Sequence, residues 1–92
     1  MEHELLNKET MTETARLWAE YICCEMDEME FINESEDFTI KDPESDTTLD
    51  VTISCYDEVP VYCDHIKVVR GEVEAEPIRK SVNELLNIIN QN

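Results

Sequence analysis

The chain contains one glycine, Gly71. That excludes every glycine-rich loop in which closely approached backbone amides cradle a phosphate. Its two histidines, His3 and His65, are the only side chains whose unperturbed charge changes near neutral pH. Carboxylates are so numerous that no acid–base pair stands out, and no nucleophile sits in a recognisable setting, so no catalytic residue is expected. No apolar run approaches the roughly 20 residues that span a bilayer. The opening Met1-Glu2-His3-Glu4 lacks the basic stretch and apolar core of a secretory leader. A cytosolic protein is the expectation, with its four cysteines as reduced thiols.

Cationic side chains are also scarce. Seven lysines and arginines face 23 aspartates and glutamates, for a formal charge of −16. Residues 25–64 carry fourteen of the carboxylates and one cation, Lys41, and so hold −13 of that total. Such a density repels nucleic acid and anionic membranes and attracts basic surfaces over about 8 Å at physiological salt.

At 92 residues the chain is expected to form one domain, 1–92. Residues 1–9 read as a loose N-terminal arm, and 33–48 as an acidic, loop-rich segment. Thr10-Met11-Thr12-Glu13 has the form of a capping box. Met11, Ala15, Trp18, Ile22, Met26 and Met29 follow at helical spacing, with Glu13, Glu20, Asp27 and Glu28 opposite, which predicts an amphipathic helix over 10–28. Phe38 and Ile40 alternate with polar neighbours, and Leu49, Val51, Ile53 and Cys55 alternate with Asp50, Thr52, Ser54 and Tyr56. Those are half-buried strands. Pro60 is expected to interrupt pairing, and a third strand covers about 65–69, extending toward Val73. Pro77 opens a second helix marked by Ile78, Val82, Leu85 and Ile89. The expected fold is α+β: a two-layer sandwich of helix, three or so antiparallel strands and helix, both helices on one sheet face.

Cys63 and His65 are placed to share a strand face, but two ligands do not make a zinc site, and no C-x-x-C pair exists. A calcium loop starting at Asp42 needs Gly and Glu where Thr47 and Ile53 stand. No metal or cofactor is therefore expected. What remains is the acidic surface. On a strand, alternate side chains stand about 6.7 Å apart, so Glu72, Glu74 and Glu76, or Asp42, Glu44 and Asp46, read as sparse stand-ins for phosphates. The expected partner-binding residues are Asp42, Glu44, Asp46, Asp50, Tyr56, Asp57, Glu58, Tyr62 and Asp64, the tyrosines supplying apolar area with a hydroxyl.

In its acidic run from Glu25 to Asp64, set within a helix–sheet–helix layout, the chain resembles the small acidic antagonists encoded by phages and mobile elements, anti-CRISPR and anti-restriction proteins among them. Some of those act as nucleic-acid mimics. The resemblance implies an inhibitor in the host cytosol that binds a basic nucleic-acid-handling protein and occupies its DNA or RNA site, without binding nucleic acid or membrane itself. Two alternatives stay open: an immunity or antitoxin protein for a cationic nuclease, and an adaptor subunit that binds, or forms a homodimer, through its helices.

Overall fold

The computed structural model describes residues 2–91, with side chains from residue 13 onward. Helix α1 spans Glu2–Asp27, strands β1, β2 and β3 span Ser35–Lys41, Thr48–Tyr56 and Val59–Arg70, and helix α2 spans Ala75–Asn90. The strands form one antiparallel sheet in the order β1-β2-β3. Both helices cover one face of it, as the sequence predicts.

The core follows from the two periodicities. Ala15, Trp18, Ala19, Ile22 and Met26 of α1 and Ile78, Val82 and Leu86 of α2 are buried against Leu49, Val51, Ile53 and Cys55 of β2 and Ile40, Cys63 and Ile66 of its neighbours. Phe31, in the connection between α1 and β1, joins them. Strand β2 is central and alternates cleanly between faces, so a one-residue slip would carry Leu49, Val51 and Ile53 to solvent.

Several boundaries differ from expectation. Helix α1 begins at Glu2, so residues 2–9 are helical rather than a loose arm, and the Thr10–Glu13 box lies inside the helix instead of at its start. Met11 lies outside the described side chains. Half of the acidic segment 33–48 is strand: Ser35–Lys41 pair with β2 and Thr48 begins it, while residues 33–34 and the turn at 42–47 lie outside the strands. Pro60 does not end pairing, because it sits on edge strand β3 opposite Cys55, where no ladder donor is lost. β3 consequently starts at Val59 and ends at Arg70.

Three register shifts interrupt the β2–β3 pair. Between the pairs Thr52↔His65 and Ile53↔Cys63 the partner strand holds one extra residue, Asp64. A bulge of this kind resets the inside–outside alternation. Cys63 therefore faces the core while His65 lies exposed, and the two do not share a face as the spacing suggested.

Gly71, with φ of +111°, follows β3 directly. A β-carbon there would come within 2.6 Å of the Thr47 hydroxyl, so the one glycine stands where the β3–α2 connection presses on the β1–β2 turn.

Candidate acidic interface

The fold separates the expected contact residues into two ends of the sheet. Asp42, Glu44 and Asp46 occupy the β1–β2 turn. Tyr56, Asp57 and Glu58 form the β2–β3 hairpin at the opposite end, and Asp50, Tyr62 and Asp64 lie between.

At the turn end the carboxylates have structural work. Asp42 accepts hydrogen bonds from the Glu44 amide at 3.1 Å and the Ser45 hydroxyl at 2.6 Å. The Ser45 hydroxyl, then the backbone amide, lowers its pKa below the ordinary 3.8. Asp46, held at φ of 62°, binds Lys41 at 3.0 Å and Arg70 at 3.1 Å, and the Lys41 bond followed by the Arg70 charge lowers its pKa as well. These groups organise a turn, and two cations already partner Asp46. Nor do Glu72, Glu74 and Glu76 form a strand row, since β3 has ended and α2 begins at Ala75. Glu76 is held by Arg79 at 2.8 Å.

On the open sheet face each carboxylate is fixed by a hydroxyl from the adjacent strand. Thr52 donates to Asp37 at 2.7 Å, Thr39 donates to Asp50 at 2.8 Å, and Ser54 donates to Asp64. Asp37 and the three hydroxyls were missed as site residues. Their signal was the alternation of Thr39, Asp50, Thr52 and Ser54, which marks a shared face but not who bonds to whom. The face is not purely anionic, because Lys67 pairs with Asp50 and His65 with Thr52.

The hairpin end has a different character. The Cys55 amide bonds the Glu34 carbonyl at 2.7 Å, which brings the α1–β1 connection beside the hairpin. Glu34 is thereby held next to the strand that leads into Asp57 and Glu58, and the α1–β1 connection, residues 28–34, adds Glu28 and Glu30 along the chain; neither it nor the hairpin, 56–59, contains a lysine or arginine. The same two segments carry Ile32, 71% exposed, and Tyr56, 77% exposed, the latter paired with Val59. The tip is strained. Asp57 and Glu58 have φ of 55° and 66°, as a two-residue primed turn requires. Aspartate tolerates that region; glutamate is not favoured there, and glycine is the usual occupant.

Tyr62, by contrast, turns to α2. Its hydroxyl accepts from Arg79 at 2.9 Å, and the guanidinium lies 6.0 Å from its ring centre. Two of the thiols, Cys23 and Cys63, are held in their protonated form. Burial, then Asp27 and Cys24, pushes Cys23 up to about 11, and burial pushes Cys63 to about 11. Among the described residues no group of three or more His, Cys, Asp or Glu is placed to hold a metal ion, and no helix is long and apolar enough to cross a membrane.

The chain matches no family model, no curated protein and no solved structure.

Proposed function

We propose that this protein is a non-enzymatic antagonist that binds a basic, nucleic-acid-handling protein (a CRISPR effector, restriction enzyme or nuclease) and occupies its DNA or RNA site. The observation that carries this reading is the hairpin end and the connection leading to it: five carboxylates on two segments without a cation, which also carry exposed Ile32 and Tyr56. Apolar anchors ringed by charge are the usual anatomy of an energetically productive interface. The carboxylates set the partner's sign, since arginines and lysines that hold phosphates accept carboxylates through the same donors.

The strained tip supports the same reading. Glu58 keeps a carboxylate where glycine would relax the turn, and strain of this kind collects at functional sites. The mechanism is steric and electrostatic occlusion, with charge complementarity mainly raising the association rate. The contact set shifts accordingly. Tyr56, Asp57 and Glu58 remain at its centre, joined by Glu28, Glu30, Ile32 and Glu34. Asp42 and Asp46 leave it.

The test is capture of nucleic-acid enzymes from a lysate on immobilised protein, with elution by added DNA or by a salt gradient. A variant with Glu30, Glu34, Asp57 and Glu58 all changed to lysine is expected to lose capture. A control with Glu44 and Glu72 changed to lysine, at the other end, is expected to keep it. Capture by the first variant at wild-type strength, or a captured partner indifferent to DNA and to about 0.5 M salt, would overturn the reading.

A further inference from the structure

The two edges of the sheet are treated differently. Along the first half of β3, from Pro60 to Cys63, the outer edge is closed by side chains of α2. The Cys63 amide donates to Asn83 Oδ1 at 2.6 Å, and the Cys63 carbonyl accepts from Asn83 Nδ2 at 3.1 Å and from Arg79 at 3.4 Å. The Pro60 carbonyl accepts from Asn90 at 3.1 Å, and Pro60 has no amide to offer. A carboxamide here replaces a neighbouring strand, which is one way to keep an edge from pairing.

Strand β1 has no such cover. Its register with β2 is regular from Ser35↔Ser54 to Lys41↔Thr48. The ladder continues beyond both ends, with the Cys55 amide on the Glu34 carbonyl at 2.7 Å and the Asp42 amide on the Thr47 carbonyl at 2.9 Å. Bonded pairs alternate along an antiparallel ladder, so Glu34, Glu36, Phe38, Ile40 and Asp42 direct their backbone groups to β2. Ser35, Asp37, Thr39 and Lys41 direct theirs outward. Tyr21 reaches the outward Lys41 carbonyl at 3.1 Å, as that parity requires. Among the described residues no other group bonds this edge.

We infer that the free edge of β1 is a docking site for an extended, lysine- or arginine-bearing segment of the partner, which adds a fourth strand through the amides of Ser35, Asp37, Thr39 and Lys41. The inference rests on the reading of the partner as basic and specifies how it is held. Backbone pairing supplies affinity and alternate side chains supply selection in strand addition. Here a guest strand would meet Asp37 and Thr39 on the open face, and Glu36 and half-buried Phe38 on the helix face. Cationic residues alternating with apolar ones fit both. A second copy fits poorly, because it brings another −16 and a second Glu34-Ser35-Glu36-Asp37 run into one sheet.

The experiment measures backbone amide exchange by NMR on the intact chain, with an acetylated, amidated heptapeptide alternating lysine and valine at millimolar concentration. Exchange at Ser35, Asp37, Thr39 and Lys41 is expected to slow by about tenfold or more, while Glu36, Phe38 and Ile40, already in the ladder, stay unchanged. Alternate N-methylation of the peptide should remove the effect. So should Thr39→Pro, whose lost amide is not part of the β1–β2 ladder; if that variant fails to fold, the N-methylated peptide carries the control. No protection at the odd-numbered amides, or equal protection with the N-methylated peptide, overturns the inference. Protection that grows with protein concentration and needs no peptide assigns the edge to a second copy, and overturns it too. If a glutamate–valine peptide protects equally, the docking edge stands and the basic-partner reading fails.

Discussion

Single side chains at the β1–β2 turn and at the hairpin decide which carboxylates are free. The two acids with lowered pKa near the turn, Asp42 and Asp46, favour the folded state when ionised. Their stabilisation is fully present above the ordinary value near 3.8 and is lost as pH falls through their lowered values. Asp46→Asn is therefore expected to reduce the melting temperature at pH 7, with the difference from the parent chain shrinking below pH 3.8; melts at pH 7, 5 and 3 check this. Glu58 stands at the other end in the left-handed region, with no such bond among the described residues. Glu58→Gly is expected to raise stability by about 1 kcal/mol, by relieving that conformation, and to weaken partner capture. A chemical denaturation series gives the first, and the capture assay gives the second. If stability and capture both rose, the carboxylate would have no role in binding.

Among the elements, α2 does two jobs. One stripe, Ile78, Val82 and Leu86, is buried in the core, while Arg79, Asn83 and Asn90 reach the outer edge of β3. Asn83→Ala would leave the Cys63 amide unpaired in a part-buried place, and a lost partner of that kind costs about 1–3 kcal/mol. Exchange at the Cys63 amide is expected to accelerate with the loss of stability, and an unchanged rate would show that the carboxamide does not seal the edge. Strand β1 lacks an equivalent guard. Its exposed odd-numbered residues and its even-numbered ladder residues leave it open, whereas α2 closes the first half of the β3 edge.

Over the whole molecule, charge works against folding. A chain at −16 repels itself when compact. Against that stand, among the described residues, the cluster of Lys41 and Arg70 on Asp46 and the Glu76–Arg79 pair, and exposed pairs contribute only about 0.2–1 kcal/mol each. Screening should relieve more repulsion than it removes attraction. The melting temperature is expected to rise between low salt and about 0.5 M sodium chloride, where the Debye length falls to a few ångströms. A fall would mean that the ion cluster outweighs the summed repulsion. The same screening should weaken partner binding, so stability and affinity are expected to move in opposite directions with salt.

Much of this protein was legible in its sequence. The alternation of Leu49, Val51, Ile53 and Cys55 against polar neighbours specified β2 and its buried face, because a period of two can bury only one side of a strand. The spacing of Ala15, Trp18, Ile22 and Met26, and of Ile78 and Val82, specified two helices with one apolar stripe each, and the α+β layering followed, although in α2 Leu86 takes the buried place expected of Leu85 and Ile89 lies exposed. Composition alone set the sign of the surface. Tertiary structure decided what local pattern cannot encode. The bulge at Asp64 reversed the facing of Cys63 and His65, since it depends on pairing with β2. Lys41, Asp46 and Arg70 met because β1 and β3 both flank the same strand end. The expected contact set divided because antiparallel pairing puts the 42–47 turn and the 56–59 hairpin at opposite ends of the sheet, while drawing Glu34, distant in sequence, beside the hairpin strand. Carboxylates that look alike along the chain differ in the fold by their neighbours: at one end cations and hydroxyls hold them, and at the other they stand with Ile32 and Tyr56 in solvent.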